Sequence, residues 1–346
     1  MLPKWAEGIE DVVDQVIRSH GETVNIPRQG AAGTGVHVGI VDSACELPPD
    51  MTESYRVRQG PDHSFVETDE SMTTDHCGSV FDWLSTFCPK ATFSLYQAVD
   101  EDGTLPLDSF SDAITRAIED GVDILNISVG DPWRGPVHVN PAVREVERAV
   151  DQEITVVAAA GNYNPRAQGD RPPVHCPAAF DPVIAVGGME VLCPVAPGSE
   201  PDGEPAGPYY CIPPEDGADL LLQDTDRSFC SQNGCVGGES CISNSTAVEW
   251  EFNLQPTGGK PDILAPMHRP TGSTDGPHFL KSGTSFATPI VAASIGCIYS
   301  ELLEMERELP RPRTVRGAVV EGGFPVDDSP HKKYDAMGTR EALGIV

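Results

Sequence analysis

Basic charge is scarce in this 346-residue chain: 23 Lys and Arg stand against 53 Asp and Glu, a formal net charge of −30, and only six of the basic residues are lysine. Phosphate backbones would be repelled, which excludes nucleic acid as a partner class. No stretch approaches the run of roughly 18 apolar residues that a membrane-spanning helix needs. Met1 to Glu10 lacks a basic segment followed by an apolar one, so the chain as written carries no secretory signal. Internal repeats are missing too, which excludes a solenoid. The acidic, lysine-poor surface is well hydrated and is similar in composition to proteins of salt-loving organisms, where salt screens the self-repulsion.

The length and the 39% hydrophobic content support a full core in one large domain. Ten cysteines divide into two groups. Cys45, Cys77, Cys88, Cys176 and Cys297 are scattered through apolar or motif-like segments and read as small buried hydrophobes. Cys193, Cys211, Cys230, Cys235 and Cys241 crowd one loop-rich stretch. Without a signal sequence, disulfides are not their default state.

The most informative stretch is Ser282-Gly283-Thr284-Ser285-Phe286-Ala287-Thr288-Pro289. Small residues lead into a serine, and apolar residues follow at near-helical density through Ile295, so Ser285 opens a helix buried on nearly all sides. Two readings fit. In one, Ser285 caps the helix, with Pro289 tolerated in its first turn. Alternatively it is a nucleophile at a helix N-terminus, where free N–H groups favour developing negative charge.

Taken in order, residues 5 to 18 place Trp5, Ile9, Val12, Val13, Val16 and Ile17 on one face of an amphipathic helix. A glycine-rich link, Gly30 to Gly35, leads to a buried strand over Val36 to Val41 that ends in Asp42. Open α/β sheets place ligands at the carboxyl ends of their strands, although a lone Asp there also serves as a turn cap. His76 sits at the start of a helix carrying Val80, Trp83, Leu84 and Phe87, a position also suited to a cap or a surface residue. A strand near Phe93 to Val99, a helix from Leu107 to Glu119 and a strand from Asp123 to Val129 follow. Next come a helix from Pro141 to Gln152 and a strand from Ile154 to Ala160 that ends in Gly161-Asn162. After a strand at Val183 to Val186, residues 189–259 are rich in Pro, Gly, Asp and Cys and lack periodicity. Order returns at Lys260 to Pro266, followed by the serine helix and a last helix around Thr314 to Val320. This alternation predicts an α/β fold, a doubly wound, mostly parallel sheet with helices on both faces. The expected organisation is one domain over 1–346, with an N-terminal helix and linker in 1–30 and an insertion at 189–259.

Four element ends thus carry Asp42, His76, Asn162 and Ser285. Acyl transfer by a hydroxyl needs a base to take its proton, a carboxylate to orient that base, and a donor for the oxyanion. At this point the chain resembles the subtilisin-like serine proteases, the subtilases, whose Asp, His, Ser order is well known. The resemblance is carried by Val38-Gly39-Ile40-Val41-Asp42-Ser43, by His76 with Val80, by Asn126-Ile127-Ser128-Val129-Gly130, by Ala158-Ala159-Ala160-Gly161-Asn162, by Val183-Ile184-Ala185-Val186-Gly187, by Lys260 to Pro266 and by Ser282 to Pro289. It spans roughly Gly30 to Gly322. It implies Ser285 as nucleophile, His76 as general base, Asp42 as orienter, and Asn162 with the Ser285 N–H as oxyanion donors. It also implies that Ser128, Val129 and Gly130, with Ala160 and Gly161, bind an extended peptide substrate as an added strand. The loop Tyr163 to Cys176, with Asp170, Arg171 and His175, would help line the side-chain pocket.

Three departures stand out. Ala44 and Cys77 occupy positions where the family has glycine, so either the chain takes another path, with Gly78 making the turn, or the geometry is worn. The third is the long 189–259 insertion, within which Ser228 to Gly234 looks like a remnant of the family's usual segment. A serine endopeptidase acting on protein or peptide substrates is therefore expected, as a monomer requiring no cofactor. Family members often bind calcium, but no Asp/Asn/Glu run has the spacing of a calcium loop, so no metal ligand is assigned. Two alternatives are a subtilase-fold interaction protein that has lost turnover and a zinc module in the insertion, where Cys230 and Cys235 have suitable spacing. With no signal or propeptide visible before Val36, a cytoplasmic location is expected; a processed fragment of a secreted protein is the alternative.

Overall fold

The computed structural model describes residues 21, 24–26, 32–45, 56–58, 75–100, 103–133, 135–162, 174–191, 240–241, 260–273, 276–325 and 331–345. Its elements are β1 (His37–Asp42), β2 (Arg56–Arg58), α1 (Asp75–Phe87), β3 (Thr92–Gln97), α2 (Leu107–Glu119), β4 (Ile124–Ile127), α3 (Pro141–Asp151), β5 (Thr155–Ala159), β6 (Ile184–Val191), β7 (Ser240–Cys241) and β8 (Ile263–Pro266). They continue with β9 (His268–Ser273), β10 (Gly276–Ser282), α4 (Thr284–Glu304), α5 (Pro312–Gly322), β11 (Phe324–Pro325), β12 (Lys332–Lys333) and α6 (Ala336–Ala342).

Strands order as β11-β12-β8-β6-β5-β4-β1-β3-β2, with β7 attached to β6, and every pairing from β12 to β2 is parallel. The expected doubly wound sheet is what forms. Its central strands are short apolar runs because both faces are covered. In β1, Val38 and Ile40 enter the core shared with α1 and α4, while Val41 enters the opposite core with α2 and α3. Local chemistry sets the helix limits: Asn140 accepts from Ala142 N–H at 3.0 Å and Val143 N–H at 3.4 Å, with Pro141 at the first helical position.

Helix α4 runs through the middle of the first core. By length and composition it could cross a membrane, but its most apolar window is 83% buried inside the protein, as in a core helix. Pro289 lies inside it, sixth from its start, and not in the first turn as expected. An interior proline costs a helix about 3 kcal/mol and deprives the carbonyl four residues earlier of its donor. Here that carbonyl belongs to Ser285.

The β9–β10 hairpin, the antiparallel edge pair β11–β12 and α6 were not legible in the sequence pattern. Strands of two residues carry no periodicity, and α6 has only seven residues. The expected helix at 5–18 lies outside the described residues, as does most of 189–259. Of that segment, Glu190 and Val191 pair antiparallel with Cys241 and Ser240.

Candidate active site

Sheet order and register bring the predicted residues to one edge. Val41 is level with Ile127, and Ile127 with Ala158, across β1, β4 and β5. Asp42, the last residue of β1, and Ser128, Ala160 and Gly161, just beyond β4 and β5, therefore meet at one edge, where open α/β sheets hold ligands. Helices α1 and α4 come from the same face of the sheet and deliver His76 and Ser285 to it.

His76 bridges two partners. Its Nδ1 lies 2.7 Å from Asp42 Oδ1 and its Nε2 lies 2.9 Å from Ser285 Oγ. Asp42 is 1% exposed, and its Oδ1 also accepts from the Ser43 N–H at 2.6 Å and the Ser43 hydroxyl at 3.1 Å. A buried carboxylate gathering these donors is fixed in orientation. It thereby sets the His76 tautomer: Nδ1 carries the proton and Nε2 presents its lone pair to Ser285. Phe286 packs beside the imidazole, ring centroids 5.4 Å apart.

Ser285 does not cap its helix. The N-cap residue is Gly283, which supplies no side-chain cap, and the serine hydroxyl is turned to His76 instead. In the first turn the Phe286 N–H donates to the Gly283 carbonyl at 3.0 Å, and the N–H groups before it have no intrahelical acceptor. One of them, on Thr284, is met from outside by Asn162 Oδ1 at 2.9 Å. The Thr284 hydroxyl donates to the same oxygen at 3.1 Å and accepts from the Gly161 N–H at 3.1 Å. Because the Thr284 backbone N–H can only donate, the Asn162 oxygen must face it, and the amide nitrogen must face the other way. A methyl group built on Gly283 would sit 3.0 Å from that nitrogen and 3.2 Å from Ser285 Oγ. The space between the hydroxyl and the amide donor is kept open by the lack of a side chain there.

The strand ends expected to bind peptide lie alongside. Gly161 has φ +100°, which requires glycine, and an added Cβ would strike the His175 ring at 2.5 Å. His175 also packs against Gly130, where an added Cβ would meet its own Cβ at 3.0 Å. Asp131 and Cys176 exchange backbone hydrogen bonds at 2.9 Å, which ties the two walls together. Asp170 and Arg171 lie outside the described residues.

The substituted glycine positions cause no strain. Neither Ala44 nor Cys77 has positive φ, and Gly78, far from making a turn, lies inside α1. Cys77 is buried behind His76, hydrogen-bonded to the Cys45 thiol. Burial, that thiol and the nearby Asp42 charge push the Cys77 thiol well above its usual range. Among the described residues, Cys45, Cys77, Cys88, Cys176 and Cys297 form no disulfide; Cys77, Cys88 and Cys176 are buried as expected, and Cys45 and Cys297 are half-buried. No group of three or more His, Cys, Asp or Glu suited to a metal occurs among the described residues.

Sequence reasoning missed Thr284, Gly283 and the side chains of Asn126 and Ser128. The first two lie within a motif whose serine drew the attention; the last two act through contacts that only the folded chain creates.

Comparison with known proteins matches residues 33–329 to the Subtilase family. Subtilisin DY of Bacillus licheniformis is 28% identical over 177 residues, covering 48% of this chain and 60% of that protein. The chain thus spans less than two thirds of that relative's length. Among solved structures, a lanthipeptide protease aligns with TM-score 0.62 at 16% identity, covering 99% of this chain and 98% of its own. The prenylagaramide maturation protease PagA aligns with TM-score 0.58 at 16% identity, covering 97% and 98%. At that identity the structural likeness speaks for the fold alone.

Proposed function

From the premise that the chain belongs to the subtilase family, we propose that it is a serine endopeptidase working through Asp42, His76 and Ser285. The observation that carries the reading is the single imidazole held between Asp42 at 2.7 Å and Ser285 at 2.9 Å.

His76 Nε2 takes the proton as Ser285 Oγ attacks the peptide carbonyl, and Asp42 stabilises the imidazolium that forms. The carbonyl oxygen, now an oxyanion, is received by the Asn162 amide nitrogen and the Ser285 N–H at the positive end of α4. His76 then returns the proton to the leaving amine. Water repeats the sequence on the acyl-enzyme. An extended substrate backbone lies along Ser128 to Gly130 on one side and Ala160 to Gly161 on the other, adding a strand to the sheet edge. The resemblance to maturation proteases lends no substrate at 16% identity, and the proposal stops at peptide bonds. No step calls for a cofactor.

The test is covalent labelling with diisopropyl fluorophosphate followed by intact-mass and peptide analysis. One adduct on Ser285, absent from Ser285→Ala, supports the reading. A folded wild-type protein that takes no adduct, or takes it elsewhere, would support a subtilase-fold interaction protein that has lost turnover.

A further inference from the structure

In α4 the carbonyl of Ser285 would ordinarily accept from the N–H of residue 289, but residue 289 is proline and has none. The site is buried: Ser285 is 6% exposed and Pro289 is buried, so water is a poor replacement. The replacement comes from another element. Ser128 Oγ, just beyond the end of β4, donates to the Ser285 carbonyl at 3.0 Å. The direction of that hydroxyl is itself fixed, because Ser128 Oγ accepts from the Asn126 amide nitrogen at 2.9 Å. With a lone pair engaged by the Asn126 amide, its proton is free to be directed at the Ser285 carbonyl. Asn126 is fully buried and Ser128 is 4% exposed, so the relay is shielded from solvent.

The peptide on the other side of Ser285 is tied as well. Thr288 Oγ1 donates to the Thr284 carbonyl at 2.7 Å, holding the peptide group that carries the Ser285 N–H. Two hydroxyls therefore fix the two peptide planes that flank Ser285, one from within the helix and one from the sheet. Only the second makes up for a hydrogen bond that the helix cannot form.

We propose that the Ser128 side chain, oriented by Asn126, is a positioning residue for Ser285: it replaces the helical hydrogen bond removed by Pro289 and so holds the serine hydroxyl in line with His76. This rests on the reading of Ser285 as nucleophile and is separate from any backbone contact that Ser128 makes with substrate. Misplacement by a fraction of an ångström is enough to cost rate without affecting binding.

The experiment measures inactivation by diisopropyl fluorophosphate, resolved into its maximal rate and its half-saturation concentration. Ser128→Ala is expected to lower the maximal rate about 10-fold to 10²-fold while half-saturation stays the same. Ser128→Thr, which keeps a hydroxyl, is expected to retain most of the rate. The decisive variant is Ser128→Ala with Pro289→Ala, which restores an N–H to the helix. It is expected to label faster than Ser128→Ala alone, a gain that a general packing defect would not produce. Unfolding midpoints for all variants confirm that each is folded. Wild-type labelling with Ser128→Ala at the wild-type rate overturns the positioning role, and so does a double variant no faster than Ser128→Ala. Failure of wild-type labelling at Ser285 overturns the parent reading instead.

Discussion

Thr284 offers two donors to one acceptor: its backbone N–H and its hydroxyl both reach Asn162 Oδ1, at 2.9 and 3.1 Å. The pairing turns the end of a helix into an orienting device, since satisfying an N–H group of the first turn also aims the Asn162 amide nitrogen at the space beside Ser285. Asn162→Ala is expected to slow acyl transfer by about 10²–10³ with the fold intact. Asn162→Asp keeps the acceptor for Thr284 but puts a carboxylate oxygen in place of the donor, so it should lose at least comparable activity while remaining folded. Equal activity in Asn162→Asp would show that the amide donor is not used.

Substitution of the central residues should be far more damaging. Ser285→Ala and His76→Ala are each expected to lower peptide hydrolysis by roughly 10⁵–10⁶, and combining them should add little, because the pair acts as a unit. The measurement is hydrolysis of a general protein substrate by purified variants. Substantial activity in purified Ser285→Ala would sink the assignment.

Gly283 makes a steric prediction. Its φ of 170° is extended backbone that any residue adopts, so Gly283→Ala should fold with little change in midpoint. Its methyl would nevertheless stand 3.0 Å from the Asn162 nitrogen and 3.2 Å from Ser285 Oγ, where the oxyanion must develop. A loss of activity of at least about 10-fold is expected, approaching the roughly 10²–10³ that follows loss of one oxyanion donor. Unchanged kinetics would place the reacting carbonyl elsewhere.

A pH effect is expected far from the crevice. Burial brings the Lys260 ammonium down from 10.5 to about 8, against the pull of Asp262 at 2.6 Å. The folded chain then releases this proton near pH 8, whereas the unfolded chain holds it to about 10.4. Between those values the unfolded state binds more protons, so this group's contribution to stability rises with pH. Urea midpoints of wild type and Lys260→Met, compared at pH 7.5, 9 and 10, should diverge in favour of wild type as pH rises. A constant difference would mean that Lys260 keeps its proton when buried.

Surface charge gives the last prediction. We propose that the 53 acidic residues, against 23 basic ones, repel one another enough for salt to stabilise the fold. The unfolding temperature should climb between 0.1 M and 3 M KCl. A flat or falling curve would leave the net charge of −30 without this role.

The central elements of the fold were legible because each is long enough to show its period. The expected helix over Leu107 to Glu119 and the strand ending at Asp42 agree with the structure, since burial on both faces leaves an unbroken apolar run and a one-sided helix leaves a stripe. Edge strands of two residues leave neither. The sequence by itself also determined which residue types stand at the ends of β1, β4 and β5 and at the starts of α1 and α4, because those positions fall inside recognisable motifs. It could not decide what those side chains do to one another. Whether Ser285 caps a helix or meets an imidazole depends on His76, 209 positions away in the chain, and the question was settled by strand order. The donor for the Ser285 carbonyl is likewise 157 residues distant. Pro289 announces in sequence that a hydrogen bond is missing; only the packing of β4 against α4 determines which hydroxyl replaces it.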